Sequence, residues 1–131
     1  MANKIVKETY GAPENQILFM TRPMAAVGAV IGNTEVTADS DGNKILKAGT
    51  PVSGDLTKRT TAFTVATSSG TPAVSNAIGV LEHDVDVTNG AENGSVIIFG
   101  FVNLERLDSA TAALITADVI AALDGKVTFL K

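Results

Sequence analysis

The sequence predicts a mostly β domain, a small barrel or sandwich, with an extended N-terminal arm and one or two short C-terminal helices. Its central part consists of short apolar or β-branched segments separated by Gly, Pro, Asn and Asp, which is typical of antiparallel β domains. Only the C-terminal part changes to a helical period. The 131 residues are enough for one domain with its own core. We therefore expect an arm, residues 1–20, followed by a single β-rich domain, residues 21–131.

The arm is predicted from the stretch "KETYGAPENQ", Lys7–Gln16, which mixes charges and contains turn-forming residues without any sustained period. Two small apolar patches flank it, Ile5-Val6 and Ile17–Met20. A tail that was only solvated would not need such patches. An extended segment of this kind can pair its backbone with an exposed sheet edge while its apolar side chains fill pockets.

The strands of the domain are predicted from apolar runs and from alternation. "DGN" at Asp41–Asn43 suits a tight hairpin turn, because Gly42 and Asn43 tolerate positive φ. Gly100, inside the most apolar run, indicates a bulge or a close backbone approach. We expect Ser68–Pro72 to be an exposed loop. The predicted strands are Ala25–Ile31, Ala62–Thr67, Gly94–Leu104 and Lys126–Leu130.

The C-terminal helical part is predicted from the spacing of four apolar residues that should face the core: Leu114, Val119, Ile120 and Leu123. Asp108 or Thr116 would cap a helix here, and Gly125 lies just past its end.

The only histidine lies in "GVLEHDVDVTNG", Gly79–Gly90, beside three carboxylates. A single strand would place Val80 and the carboxylates Glu82, Asp84 and Asp86 on one face, and Leu81, His83, Val85 and Val87 on the other. His83 then points away from the acids, and the chain has no cysteine to complete a transition-metal site. We interpret His83 as a packed or interface residue and the carboxylates as a charged solvent face, with a weak Ca²⁺ or Mg²⁺ site as the alternative.

Catalysis and cofactor binding have no support in the motifs. No G-x-S-x-G or similar nucleophile motif accompanies His83, and "GAVIG" at Gly28–Gly32 lacks the spacing of a nucleotide-binding loop. "DSDGN" at Asp39–Asn43 departs from a calcium loop, because its glycine is misplaced and Thr50 stands where a bidentate Glu would be expected. We expect a protein that is not an enzyme, with no cofactor, no metal and no small-molecule substrate.

Composition disfavours several kinds of partner. The net charge is -4, and the ten basic residues are spread along the chain, which disfavours nucleic acid. The longest apolar run, Met24–Gly32, is too short to span a membrane, and no signal peptide is evident in Met1–Asn15. We expect a soluble protein that is used without export.

Three segments in order resemble the small head-decoration proteins of tailed bacteriophages, of the lambda head-decoration type, and related capsid cement proteins: "ILKAGTPVSGDL" (Ile45–Leu56), "AIGVLEHDVDVTNG" (Ala77–Gly90) and "GSVIIFGFVNLERL" (Gly94–Leu107). They look like that family's "AG-T/P" turn, its "G-[VIL]-L…D-[VI]-[DT]" strand and its strand ending in "G-x-[VY]". The resemblance covers about half of the chain.

The resemblance implies a virion structural protein, made in the bacterial cytoplasm, that docks outside the assembled capsid as a homotrimer and bridges major capsid subunits. It also implies that the N-terminal arm becomes ordered on the capsid. The arm residues expected to make that contact are Ile5, Val6, Tyr10, Ile17, Leu18 and Phe19.

Two other functions stay open at this point. One is the capsid-anchoring base of a head fibre, or another virion or tail component. The other is a carbohydrate-binding module or small hydrolase, for which we would expect exposed aromatic platforms or a paired-carboxylate cleft. The chain has no Trp and one Tyr, which gives sugar stacking little support.

Overall fold

The computed structural model describes residues 17–34 and 36–131, and within them it is mostly β, as predicted. Two short helices follow the main strands, α1 (Ser109–Ala112) and α2 (Ala117–Ala122), with a 3-10 turn before them at Leu104–Arg106. The strands are β1 (Leu18–Ile31), β2 (Ile45–Leu46), β3 (Pro51–Ser53), β4 (Thr64–Val65), β5 (Ser68–Ser69), β6 (Val74–Ser75), β7 (Gly79–Leu81), β8 (Val85–Asp86), β9 (Glu92–Asn103) and β10 (Val127–Leu130).

β9 is the centre of the main sheet. One edge pairs antiparallel with β1, from Leu18 opposite Val102 to Ile31 opposite Glu92. The other edge is shared between β7, which is antiparallel, and β10, which is parallel. From β7 the sheet continues through β3 to β4. The most apolar run of the chain therefore lies where both edges of a strand are paired.

The main sheet closes on itself at one end. Ile31 of β1 forms a parallel bridge with Phe63, just before β4, and Phe63 exchanges backbone hydrogen bonds of 2.8 Å with Val30 and Gly32. The path β1-β9-β7-β3-β4 thus returns to β1, and the sheet becomes a small barrel. Phe63 is fully buried at this seam.

The main sheet has a core on each face. Val80 lies opposite Ile97, and the next pair along is Leu81 opposite Val96. Because successive side chains alternate, the two pairs point to opposite faces, and all four residues are fully buried. The barrel core contains Ala29, Ile31, Leu46, Val52, Phe63, Leu81, Val85, Val87 and Val96. The helix-side core contains Ile17, Ala48, Ala77, Val80, Ile97, Val102, Leu107, Val119, Leu123 and Val127.

The single strand predicted through the histidine stretch is wrong. β7 ends at Leu81, residues 82–84 bend away, and β8 begins at Val85 to pair with β2. Val80 does not share an exposed face with the acids. Its side chain is buried in the helix-side core, on the face that was predicted to meet solvent.

The first strand begins before residue 21, the predicted start of the domain. β1 begins at Leu18, so residues 18–20, assigned to the arm, form the first positions of the longest strand. The Ala25–Ile31 strand is confirmed as the C-terminal half of β1. The irregularity predicted at Gly100 is present, but the extra residues are on β1. Met20 lies opposite Phe101 and Ala25 opposite Phe99, so a longer stretch of β1 bulges out against a shorter stretch of β9.

The turn at Asp41–Asn43 is confirmed, with Gly42 at φ 83°. Asp39 organises it, because its Oδ1 accepts from the backbone amides of Asp41 at 2.8 Å and Asn43 at 3.0 Å. The hairpin strands expected around it do not pair with each other, since β2 pairs with β8 instead. The predicted loop at Ser68–Pro72 is exposed, and its first two residues form β5, which pairs with β6.

The helical part is confirmed, but only half of its predicted core face is buried. Val119 and Leu123 are in the helix-side core, whereas Leu114 and Ile120 are exposed. The Thr116 side chain caps α2 by accepting from the Val119 amide at 3.5 Å. Gly125 follows the helix at φ 78° and leads into β10, the predicted last strand.

Candidate functional site

The six residues expected to contact a capsid fall into two groups. Ile5, Val6 and Tyr10 lie outside the described residues. Ile17, Leu18 and Phe19 lie inside the domain: Ile17 is in the helix-side core, and the other two are at the start of β1.

Ile17 cannot serve as a contact residue, which corrects that assignment. Its side chain is 0% exposed, so it is already committed to the fold. Its carbonyl oxygen also accepts a 2.8 Å hydrogen bond from the Asn103 amide, which continues the β1–β9 pairing by one residue. Ile17 therefore anchors the place where residues 1–16 join the domain.

The join is at one end of the main sheet. Leu18 lies opposite Val102 on β9, and Leu130, the last residue of β10, lies opposite Asn103. The N-terminal segment and the end of β10 thus reach the domain beside the same two residues of β9. Any partner held by residues 1–16 would be positioned from this end.

The histidine stretch forms local contacts rather than a common site. The His83 ring is half-exposed, and its Nε2 lies 3.9 Å from Glu82 Oε1. Glu82 Oε1 also accepts a 2.9 Å hydrogen bond from Ser95 Oγ on β9. The expectation that His83 points away from all three acids is therefore wrong, because the bend after Leu81 brings His83 and Glu82 together.

The other two carboxylates of this stretch hold different loops. Asp84 Oδ1 accepts from the Ala48 amide at 2.7 Å, and its Oδ2 lies 3.6 Å from Lys47 Nζ. Asp86 Oδ1 accepts from the hydroxyl of Thr88 at 2.5 Å and from its amide at 3.0 Å. These two hydrogen bonds lower the pKa of Asp86 from its ordinary value, and the bond from the hydroxyl has the larger effect. Asp84 thus holds the distant loop at Lys47 and Ala48, whereas Asp86 stabilises its own turn.

No group of three or more His, Cys, Asp or Glu residues within the described part of the chain is arranged to hold a metal ion. The two oxygens of Asp84 are engaged by Ala48 and Lys47, and Asp86 is engaged by Thr88. The weak Ca²⁺ or Mg²⁺ site considered as an alternative gains no support from this geometry.

Exposed apolar side chains form the surface feature that sequence reasoning missed. Ile45 of β2 and Leu114, just after α1, line one shallow groove with the half-buried Val36 and Val65. Elsewhere, Val74 of β6 is 66% exposed. Helical spacing assigns Leu114 to the core. Only the tertiary structure brings Leu114 and Ile45 together.

A depression of about 620 Å³ lies between β1 and the loop before β4. Arg59 fastens that loop, because its Nη1 donates a 2.7 Å hydrogen bond to the Gly28 carbonyl while its own carbonyl accepts from the Val30 amide at 3.0 Å. The basic pair Lys58-Arg59 thus includes one residue with a structural role in barrel closure.

No protein-family model matches this chain, and no curated protein is significantly similar to it in sequence. Within residues 17–34 and 36–131, no helix is both long and apolar enough to cross a membrane.

Proposed function

We propose that this protein is a capsid decoration protein, a non-enzymatic virion component that binds the outside of an assembled phage head as a homotrimer and bridges major capsid subunits. The observation that carries the proposal is the position of the three resembling segments. Ile45–Leu56 contains β2 and β3, Ala77–Gly90 contains β7 and β8, and Gly94–Leu107 contains all but the first two residues of β9.

These segments are neighbours in space as well as in order. β3, β7 and β9 are consecutive strands of the main sheet, and β2 pairs with β8. The residues that resemble the decoration family therefore make up one continuous part of the fold. A chance likeness of three short apolar motifs would not require them to pair with one another.

The N-terminal segment is the proposed anchor, now limited to residues 1–16, with Ile5, Val6 and Tyr10 as the contact residues. Ile17 fixes the base of this segment to the helix-side core. A segment fastened at its base can reach a sheet edge of the capsid while the domain stays folded. Many weak attachments over a shell then add through avidity.

The test compares binding of full-length and shortened protein to expanded empty heads of the phage that encodes the chain. Deleting residues 1–16 should leave a folded domain, because Ile17 and all of β1 remain, but should abolish cosedimentation with heads. Full-length protein should bind at a fixed ratio to capsid subunits and raise the melting temperature of the heads.

A matched pair of full-length variants separates apolar contact from charge. Ile5→Asp with Val6→Asp removes two apolar side chains and should prevent binding. Asn3→Asp with Thr9→Asp adds the same charge to the same segment and should bind nearly as well as the unchanged protein. Equal binding by the deletion variant would refute the anchor, and absence of binding by the full-length protein would refute the proposed function.

A further inference from the structure

We propose that Asn89, in the turn between β8 and β9, is a site of spontaneous deamidation, whereas Asn93, which is also followed by glycine, is protected by the fold. The inference does not depend on the proposed function. The chain contains both dipeptides within one short stretch, Asn89-Gly90 and Asn93-Gly94. Their side chains are both exposed, so exposure does not distinguish them. Their backbone conformations do, because Asn89 lies in a turn and Asn93 in β9.

The reaction begins with attack of the following backbone nitrogen on the asparagine side chain. A bond forms between Gly90 N and Asn89 Cγ, the Cγ–NH₂ bond breaks, and the leaving nitrogen takes the amide proton to depart as ammonia. Water then opens the succinimide ring at either carbonyl, its oxygen entering the new acid and its proton returning to nitrogen. The products are aspartate and isoaspartate, each with one added negative charge.

The turn that holds Asn89 restrains this path only weakly. Val87 to Gly90 is a β-turn, closed by a hydrogen bond from the Gly90 amide, the attacking nitrogen, to the Val87 carbonyl. At 3.2 Å this bond is at the long end for such bonds, and it must open before the ring closes. The turn is fastened on the side of Thr88, whose Oγ1 donates to Asp86 and accepts from the Lys44 amide at 2.8 Å. Apart from its two chain neighbours, no residue has an atom within 4 Å of where a Cβ of Gly90 would be. Ring closure and water attack therefore meet no packed neighbour.

The strand that holds Asn93 blocks the same path. Asn93 lies opposite Val30 and Gly94 opposite Ala29 in the β1–β9 pairing, which keeps the backbone extended. A Cβ at Gly94 would stand 2.8 Å from Ile31 Cγ1 and 2.9 Å from Val85 Cγ2, so barrel-core side chains cover this glycine. The rotation needed to bring Gly94 N to the Asn93 side chain would break the pairing and displace those side chains.

Conversion at Asn89 would change the charge of one defined surface. Asn89 and Asn93 line a shallow depression with three acids, Asp84, Asp86 and Glu92. A new carboxylate at position 89 adds to that negative charge without entering either core. The aged protein should therefore acquire an acidic form that keeps its fold.

The experiment ages the full-length protein in mildly alkaline buffer and measures both asparagines by peptide mass mapping. A second sample is held in denaturant, and both are sampled until the denatured one has converted at both positions. In the folded sample, Asn89 should convert many times faster than Asn93. Equal rates at the two positions in the folded protein, or an intact Asn89 at that time, would overturn the proposal.

Two variants tie the charge change to one residue. Ion exchange of aged protein should lose its acidic form in Asn89→Gln, because glutamine closes the corresponding ring far more slowly. Asn93→Gln should keep that form. If the acidic form disappears in Asn93→Gln and persists in Asn89→Gln, the assignment is reversed and the proposal fails.

Discussion

Val119 and Ile120 are consecutive residues of α2, yet Val119 is 4% exposed in the helix-side core and Ile120 is 45% exposed at the surface. Spacing alone placed both on one buried face. The structure therefore distinguishes two substitutions that the sequence treats as equivalent.

Val119→Asp should lower the free energy of unfolding by several kcal/mol, because it buries an unpaired charge next to Leu123. Ile120→Asp should change it by about 0.5 kcal/mol or less, since the carboxylate stays in water. Urea unfolding of the two variants checks the difference. Similar losses would show that α2 is packed on both sides.

Phe63→Ala should destabilise the domain by about 3–5 kcal/mol, because it removes a fully buried ring at the seam of the barrel. Leu56→Ala is the control: this residue is exposed on the same loop and should cost about 0.5 kcal/mol or less. Thermal and urea unfolding give both values. A small loss for Phe63→Ala would mean that closure at Ile31 and Phe63 contributes little to stability.

Gly49→Ala should be destabilising by about 2–4 kcal/mol, combining backbone strain with overpacking. Gly49 has φ 95°, and a Cβ there would stand 2.3 Å from Leu107 Cδ2 in the helix-side core. Gly28→Ala is the matched control, since no residue other than its two chain neighbours has an atom within 4 Å of its Cβ position. If both variants unfold at the same urea concentration, neither the positive φ of residue 49 nor the contact with Leu107 is costly.

Thr57→Val should raise the pKa of Asp55 and leave that of Asp86 unchanged, whereas Thr88→Val should do the reverse. The side-chain hydrogen bond of each threonine is the largest cause of the lowered pKa of its aspartate. NMR titration of the carboxyl carbons measures both values. Unchanged pKa values in both variants would show that the hydroxyls do not hold the charged forms.

The same hydrogen bonds determine the sign of a pH effect. A pKa that is lower in the folded state adds stability above the unfolded pKa, and the addition is lost as pH falls through the folded pKa. Each threonine variant should therefore lose less stability than the unchanged protein between neutral pH and the acid range below ordinary aspartate pKa values. Unfolding measured across that range checks this, and a steeper loss in the variants would contradict it.

Removing divalent cations should leave the melting temperature unchanged. The carboxylates of Glu82, Asp84 and Asp86 are each engaged by a different protein partner. Melting with a chelator and with added Ca²⁺ or Mg²⁺ checks this, together with elemental analysis of the purified protein. An increase in melting temperature with added cation that is abolished in Asp86→Asn would support a metal site at these carboxylates.

The class of fold, the apolar central strand and the short helices could be predicted from the sequence because they follow from local patterns. The exposure of each face could not. Alternation through Val80 and Leu81 assumes that one side of a strand meets water, and here the helix side covers it. The break after Leu81 depends on β8 pairing with β2, which is a long-range event.

The candidate site was predictable only in outline. Gly and Pro indicate a segment outside the regular elements. The apolar residues at its end have the same sequence pattern in an arm as in a strand, so the boundary between the two cannot be located. Ile17 and the start of β1 were therefore assigned to the arm. The groove between Ile45 and Leu114 has no local signal at all, because its walls come from distant parts of the chain.

The pairing of β1 with β9 also determines the order in which the chain can fold. β1 is made before the other strands of the barrel, and its main partner, Glu92–Asn103, is made after them all. The Phe63 bridge holds only the far end of β1. Most of β1 therefore has no partner while the ribosome is still making β2 to β8. Contacts so distant in sequence fold slowly, so the barrel should form late and in one step, once β9 has left the ribosome.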